Sequence, residues 1–503
     1  MVTEAVLSLD IGTQSTRAAV VTADGRIVGI AQIQHEVDSP KPGWAQQRPD
    51  SWWEEACQAI RQVLADTGVD AASIAAVSSC GQMHGMVGVD EEGRVTTEWV
   101  QLWCDKRCQP QCEAIRGAHD EADLAAVTAN PIVPSWTGPK VRWFMENQPE
   151  AYDRARWFLV PKDFINYRLT GVAATDPSEA SGSFLWDCRT DGYSPEMADV
   201  VGVDLGRFAP VSASHEVIGT VSDEAFRQSG VPAGTPVVAG GGDFPVSMLG
   251  FGIVGQGIAS DVTGTSTLFA MHSPKPLVHP AVFNLRHVVD GWIPFKLLDT
   301  GGLSVSWSKD LITSARDEEI SFDALIDMAS KVPPGSEGLI FYPYMLGERR
   351  LENASARGAY LGITLNHKAA HFARAAMEGV ALAMGLDLRL FRSLGMEVER
   401  FLCVGGGTRN QLWNQIKADV VQMTLELSDE PEAGLKGAAI LGAAGVGLVA
   451  GTDRRLVAAQ EACRRRTATR RVDPQPESAK QYQAVLEEFS RVYDHMLGFW
   501  QGR

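Results

Sequence analysis

Short apolar runs ending in glycine turns alternate along this chain with longer stretches of helical periodicity. Residues 6–9 form a buried-strand pattern that runs into Asp10-Ile-Gly-Thr-Gln-Ser-Thr-Arg17. Residues 18–22 and 26–32 make two more strands around Asp24-Gly25, a strong hairpin signal. Asp50 is expected to cap a helix with the apolar stripe Trp53, Cys57, Ile60 and Leu64, and Gly68 to end it. The next strand, 74–79, leads into Gly81-Gln-Met-His-Gly85. The second half restarts in the same way: residues 257–261 lead to Val262-Thr-Gly-Thr-Ser-Thr267. Aligning Gly12-Thr13 with Gly264-Thr265 puts two Gly-Thr hairpin turns in corresponding places. Alternating strands and helices give an α/β fold class, and the faint repeat points to two related domains facing each other, 1–248 and 249–503. Residues 481–500 predict a C-terminal helix. The basic run Arg464-Arg-Arg-Thr-Ala-Thr-Arg-Arg471 reads as a solvated loop before it.

Length supports the two-domain reading, because 503 residues exceed one compact core. Apolar residues make up 45% and charged residues 21%, as in soluble globular proteins. A formal net charge of -17 repels nucleic acid and anionic membranes, so neither is an expected partner. No apolar run reaches the length of a membrane span, and the first residues lack the pattern of a signal peptide. The eight cysteines stand mostly alone in apolar or helical segments, which reads as reduced thiols in a cytoplasmic protein. Cys104, Cys108 and Cys112 share a helical spacing, but structural zinc takes four ligands and His119 is the one nearby histidine. Packed thiols without zinc are the expectation.

Nucleotide chemistry needs backbone N–H groups around phosphates, a carboxylate for Mg²⁺ and a group that orients the nucleophile. No GxxxxGK[ST] motif is present. Gly250-Phe-Gly-Ile-Val-Gly255 matches GxGxxG, but a short helix over 244–249 precedes it and a strand over 258–261 follows, the reverse of the dinucleotide-binding context. Three clusters remain besides Asp243. Asp10-Ile-Gly-Thr-Gln-Ser15 sets a carboxylate at a strand end before a hydroxyl-rich turn, and Val262-Thr-Gly-Thr-Ser266 is a second such turn. Gly405-Gly-Gly-Thr-Arg-Asn410 follows the strand 401–404 and precedes a helix from Leu412, so a flat ligand could approach its backbone closely. Plain hairpins and a flexible strand–helix connection are the alternatives. Gly240-Gly-Gly-Asp243 follows the strand 236–239 and delivers one carboxylate to the crevice where α/β proteins bind ligands. A helix N-cap is a compatible role for Asp243.

These residues, taken in order, resemble the FGGY carbohydrate kinases, xylulokinase-like branch, over nearly the whole chain. The likeness rests on Pro42-Gly-Trp44, Pro49-Asp-Ser-Trp-Trp53, Gly81–Gly85, Leu102-Trp-Cys-Asp105, Leu159-Val-Pro-Lys-Asp163 and Ala174-Thr-Asp-Pro-Ser-Glu-Ala-Ser-Gly182. It continues through Gly347-Glu-Arg349, Ala356–Gly362, Met377-Glu-Gly379, Gly405–Asn410 and Trp413–Asp419. The resemblance implies two actin-like, ribonuclease-H-like domains with an active-site cleft between them, and ATP-dependent phosphorylation of a small sugar at a primary hydroxyl. It implies phosphate loops at Gly12, Thr13, Gln14, Ser15 and Arg17 and at Thr263, Gly264 and Thr265. It implies adenosine-side contacts at Gly302, Gly405, Gly406, Gly407 and Asn410. Mg²⁺ carboxylates would be Asp10 and Asp243, with Asp243 the catalytic base. The sugar pocket would hold Gln82, Met83, His84, Trp103 and Asp105. Trp103 is open between a core role and a platform for the C–H face of a sugar.

Two departures bear on substrate choice. Phe244 stands where relatives carry an amide beside the base, and Cys104 stands where the xylulokinase pattern has Asn. Both remove hydrogen bonds that discriminate among sugars. The rival readings are an actin-like ATPase of the chaperone or filament type, which needs no sugar pocket, and a sugar sensor that has lost catalysis. Gln82-Met-His84 and Trp103-Cys-Asp105 stand against the first, and Asp10 with Asp243 against the second. A homodimer is the oligomeric expectation.

Overall fold

The computed structural model describes residues 4–314, 319–348, 355–428, 430–449 and 469–501. The first half builds a six-stranded sheet from β1 (Ala5–Ile11), β2 (Ser15–Thr22), β3 (Ile27–Gln34), β4 (Ile74–Gly81), β5 (Val217–Thr220) and β6 (Pro236–Gly242), in the order β5-β6-β4-β1-β2-β3. The second half builds a seven-stranded sheet from β7 (Gly257–Thr263), β8 (Thr267–Met271), β9 (Phe283–Arg286), β10 (Trp292–Leu298), β11 (Val398–Val404), β12 (Leu425–Ser428) and β13 (Thr469–Val472). Its order is β9-β10-β8-β7-β11-β12-β13.

The two sheets share one pairing scheme. β1 runs antiparallel to β2 and parallel to β4, and β4 runs parallel to β6. β7 likewise runs antiparallel to β8 and parallel to β11, and β11 runs parallel to β12. The duplication faint in sequence is thus explicit in topology, with β9 the added edge. Every residue of β1 is buried, as a strand covered on both faces requires.

Helix Pro49–Thr67 lays Trp52, Trp53, Ala56, Cys57, Ile60 and Val63 against the first sheet. It ends at Gly68, φ +63°, as the sequence predicts. Its start corrects the expectation. Pro49 occupies the first turn and Arg48 the cap position without a side-chain cap, so Asp50 lies inside the helix, where its charge favours the positive end of the dipole. A second correction concerns Asp243. β6 extends through the glycines to Gly242, which becomes the cap residue, and Asp243 is the first residue of helix Asp243–Phe251. That helix closes at Gly252, φ +87°, and β7 follows, so Gly250–Gly255 sits in the context expected of a chance match.

Helix Ala433–Gly445 belongs to the second half in sequence but packs on the first sheet. Leu435, Ala439 and Ala443 meet Val6, Ala19 and Val21. It crosses helix Asp243–Phe251 almost backbone to backbone: a Cβ on Gly437 would lie 2.1 Å from the Val246 carbonyl, and one on Gly250 2.0 Å from the Ala433 carbonyl. The C-terminal helix, Pro476–Gln501, is present. Of the basic run, residues 464–468 lie outside the described residues. Arg470 and Arg471 belong to edge strand β13 rather than a loop, because β12 offers them a ladder partner. Arg349 of the Gly347-Glu-Arg349 motif also lies outside the described residues.

Candidate active site

The end of β1 and the start of β2 form a tight hairpin in which Gly12 N–H donates to the Ser15 carbonyl at 2.9 Å. Asp10 lies opposite Arg17 in the ladder, and the Arg17 guanidinium bonds its carboxylate. The other arm of Arg17 reaches Glu432 at 2.6 Å, just ahead of helix Ala433–Gly445. One arginine therefore ties the first hairpin to the second half of the chain. Gly434 lies at this corner, where a Cβ would be in ordinary contact with Asp10 Oδ2 at 3.6 Å.

The loop itself is held from behind. Gln47 Nε2 donates to the Thr13 carbonyl at 2.8 Å, and His35 Nε2 meets the Gly12 carbonyl at 2.9 Å while its Nδ1 meets Glu55 at 2.6 Å. Trp103 Nε1 donates to Thr13 Oγ1 at 3.1 Å. Gln82 Nε2 donates to Gln47 Oε1 at 2.9 Å. Gln14 takes the exposed tip, and its carbonyl accepts His35 N–H at 3.0 Å.

Asp243 is half-buried, with Oδ1 accepting the Phe244 N–H at 2.7 Å. Burial first, and then the charge of Asp10, pushes its carboxyl up to about 7, against the lowering effect of that N–H. Phe244 itself packs edge-on against Phe295, ring centroids 5.2 Å apart. Met83 crowds the turn before Asp243: a Cβ on Gly242 would lie 2.6 Å from its sulfur. His84 has φ +69°, uncommon outside glycine, and its carbonyl accepts Lys140 Nζ at 3.1 Å. Its ring stands edge-on to Trp136 at 5.1 Å.

Met83 thus lies against the Gly242–Asp243 turn and His84 beside Gly182 and Trp136, while Gln82 and Trp103 turn toward Thr13. Asp105 does neither. It is fully buried, and its carboxylate accepts the Ala45 N–H at 2.7 Å and the Arg107 guanidinium at 2.7 Å, with Arg107 stacked on Trp44. Among the described residues no group of three His, Cys, Asp or Glu side chains is disposed to hold a metal. Cys108 and Cys112 are buried and Cys104 is half-buried.

The second hairpin is a similar but one-residue-shorter turn: Gly264 N–H donates to the Ser266 carbonyl at 2.9 Å. Neighbouring backbone presses on it from two sides. A Cβ on Gly302 would lie 2.0 Å from the Gly264 carbonyl, and one on Gly405, φ +88°, 2.6 Å from the Thr263 carbonyl. Beside these turns opens a cavity of about 480 Å³ lined by Gly264, Thr265, Gly302, Gly406, Gly407 and Asn410, with Phe322 and Asp323 across from them. The Thr263 side chain turns away from it. Its hydroxyl accepts Lys417 Nζ at 2.9 Å and bonds Asp261, which pairs with the same lysine at 2.5 Å. Sequence reasoning missed Glu432, Lys417 and Gln47. All three lie far along the chain from the loops they serve.

Residues 5–250 match the family model described as the FGGY family of carbohydrate kinases, N-terminal domain, and residues 259–446 match the C-terminal domain model. The chain belongs to the FGGY family of carbohydrate kinases. An FGGY kinase transfers phosphate from ATP to a sugar, and the two-sheet architecture is the actin-like fold of such kinases. This removes the filament and chaperone reading. Over 498 residues the chain is 28% identical to a xylulose kinase of Bacillus subtilis (strain 168), covering 97% of each. It is 29% identical over 522 residues to an autoinducer-2 kinase of Salmonella paratyphi B (strain ATCC BAA-1250 / SPB7), covering 99% of this chain and 95% of that one. Among solved structures, the xylulose kinase from Rhodospirillum rubrum superimposes with a TM-score of 0.92 at 27% identity, covering 99% of this chain and 100% of that one. No helix among the described residues is long and apolar enough to cross a membrane.

Proposed function

We propose that this kinase phosphorylates a primary hydroxyl of a small ketose or polyol, with Asp243 as the base. The observation that carries the reading is the placement of the Asp243 carboxyl at the end of a buried strand, near enough to Asp10 for that charge, after burial, to push it up to about 7. A base of that strength is matched to neutral pH. Oδ1 is held by the Phe244 N–H, which leaves Oδ2 for the sugar hydroxyl. The hydroxyl proton passes to Asp243 as the sugar oxygen bonds to the γ-phosphorus and the bond to the departing ADP oxygen breaks. The two Gly-Thr hairpins supply N–H donors for the phosphates, and the glycine-lined cavity suits the adenosine. Most of the acceleration is orientation and electrostatics.

Mg²⁺ fits this donor set. Asp10 and Asp243 are two carboxylates close enough for the charge of one to raise the other, too few for an all-protein cage and suited to an ion shared with phosphates and water. Bound there, Mg²⁺ offsets phosphate charge. Asp10 and Asp243 would hold it, with Arg17 keeping Asp10 in position. The bodies 1–248 and 249–503 would close around the substrates and exclude water, with the crossing at Gly250 and Gly437 as the joint. A cytoplasmic setting and a homodimer complete the proposal, and light scattering tests the latter.

Relatives named xylulose kinase and autoinducer-2 kinase stand at 28% and 29% identity, so the pocket has to decide the substrate. Phe244 gives no hydrogen bond, and a buried unpaired hydroxyl costs roughly 1–3 kcal/mol. A sugar presenting a hydroxyl to that ring should therefore be disfavoured about 5- to 150-fold. The test is ATP-coupled ADP release over pentuloses, hexuloses, polyols, aldonic acids and deoxy or branched ketoses, for wild type and Phe244→Asn. The reading expects a preferred sugar with an apolar or absent group at that carbon, and a shift toward D-xylulose in the variant. A wild type that prefers D-xylulose over the whole panel and gains nothing from the amide contradicts it.

A further inference from the structure

The helix Pro177–Ser181 is five residues long, yet it and Gly182 just past it contact the turn before Asp243 on one side and His84 on the other. Ser178 Oγ accepts the Gly242 N–H at 3.0 Å, one residue before Asp243. Gly182, just past the helix, lies so close to His84 that a Cβ would stand 2.5 Å from its Cε1. Between these two contacts is Glu179, 2% exposed, with no hydrogen-bond partner for either carboxyl oxygen among the described residues.

Its neighbouring carboxylates are each paired through at least one oxygen, although Asp163 Oδ2 also lacks a hydrogen-bond partner among the described residues. Asp176 Oδ2 accepts from Ser178 N–H at 3.0 Å and from the Ser178 and Ser214 hydroxyls at 2.7 and 2.8 Å. Ser181 Oγ accepts the Arg286 N–H at 2.8 Å. Lys162, the buried cation of this cluster, is committed to Asp163, to Asp176 at 3.1 Å and to the Ala239 carbonyl at 3.1 Å. A buried carboxyl without a partner is unfavourable, and such groups persist where function uses them. Burial pushes Glu179 well above the usual carboxylate range, and Asp163, Asp176 and Asp243 push the same way against Lys162. The protonated acid offers one O–H donor and a carbonyl acceptor, which together can engage an alcohol in both directions. Phe244 offers neither.

We propose that Glu179 is a substrate-binding residue whose carboxyl holds a second hydroxyl of the sugar, apart from the one Asp243 activates. The proposal rests on the assignment of Asp243, Met83 and His84 to the sugar side. It narrows the substrate class to polyhydroxylated ketoses or polyols that present one hydroxyl to Glu179 and an apolar face to Phe244.

The test compares Glu179→Leu and Glu179→Gln in the full chain, with the best sugar of the panel and ATP varied separately. Glu179→Leu is expected to raise the sugar KM at least about tenfold, the loss of one good hydrogen bond, and to leave the ATP KM within about twofold. It is also expected to raise Tm, since it removes a polar group unpaired in the free protein. Glu179→Gln keeps a donor and an acceptor and should hold the sugar KM within about threefold. A purely structural glutamate predicts a lower Tm and no selective change in the sugar KM, and that result overturns the proposal. If the leucine variant does not fold, Glu179→Ala is read on the same sugar KM. Asp243→Asn, measured alongside, separates the two failures. Normal turnover in that variant removes the sugar-side reading itself. An inactive Asp243→Asn beside Glu179 variants with unchanged sugar KM removes only Glu179.

Discussion

At the first hairpin the last ladder pair is Ile11 with Thr16, and at the second it is Thr263 with Thr267. Counted from there, Asp10 corresponds to Val262, and the carboxylate of the second half, Asp261, stands one position earlier. Successive strand residues face opposite sides of a sheet, so this single step sends the two aspartates to opposite faces. Asp10 reaches the corner beside Gly434, bonded to Arg17 and near Asp243. Asp261 is buried against Lys417 and Thr263 behind its loop. One pairing scheme thus sets a carboxylate near Asp243 in the first half and a glycine-lined cavity, proposed above for the adenosine, in the second. Val262 leaves the second hairpin without a carboxylate at the position of Asp10.

The comparison breaks most visibly by neutralising each aspartate in turn. Asp10→Asn should lower kcat at least about a hundredfold while leaving the thermal midpoint near wild type, because the reacting groups lose their charge partner whereas Arg17, partly exposed, keeps Glu432. Asp261→Asn should do the reverse. It leaves the Lys417 ammonium buried without its counter-charge, at a cost of about 3–5 kcal/mol, with near-normal kinetics in the folded fraction. Steady-state kinetics and thermal melts on both variants decide it, and an active Asp10→Asn removes the asymmetry.

The next effect lies on the shelf. Gly405 has φ +88° with its missing Cβ facing the Thr263 carbonyl at 2.6 Å. Gly405→Ala should therefore push the two turns apart and raise the ATP KM about tenfold, roughly 1.4 kcal/mol, with the sugar KM little changed. A matched loss for both substrates would mean that the second hairpin also shapes the sugar side.

A smaller effect is one of pH and stability. The Asp243 carboxyl is raised from 3.8 to about 7, so the folded protein binds a proton that the unfolded chain releases over that window. Stability then falls as pH rises from about 4 to about 7, and the full penalty is present above it. Asp243→Asn removes the penalty, so its Tm should exceed wild type at pH 8 and approach it toward pH 4. Melts across that range check the sign, and an equal or lower Tm at pH 8 contradicts it. The smallest expected effect is none at all: metal analysis of protein purified without chelator should find no stoichiometric zinc at Cys104, Cys108 and Cys112. One tightly held zinc per chain would overturn that.

How much of this was legible in the sequence follows the same division. Turns announce themselves locally, so Gly12-Thr13, Gly264-Thr265 and Asp24-Gly25 were readable from residue type alone. Helix and strand limits next to Pro49 and Gly242 were misjudged by a residue or more, because proline starts a helix early and a glycine run can stay in a ladder. Partners distant along the chain left no local signal. Glu432 lies 415 positions from Arg17 and Lys417 lies 156 from Asp261. The packing of helix Ala433–Gly445 on the first sheet was equally hidden, although its glycines at 437 and 445 mark where backbones meet closely. Asp105 shows the converse: a motif can be plain in sequence while the structure reveals its carboxylate bonded to Ala45 and Arg107.

The most direct measurement is turnover of Asp243→Asn beside an ATP titration of the same protein. The account predicts kcat reduced at least about a hundredfold with ATP affinity within about threefold of wild type, since the proposed base sits at the end of the first sheet and the cavity proposed for the adenosine beside the second. Near-normal turnover, or loss of ATP binding in step with loss of turnover, would contradict it.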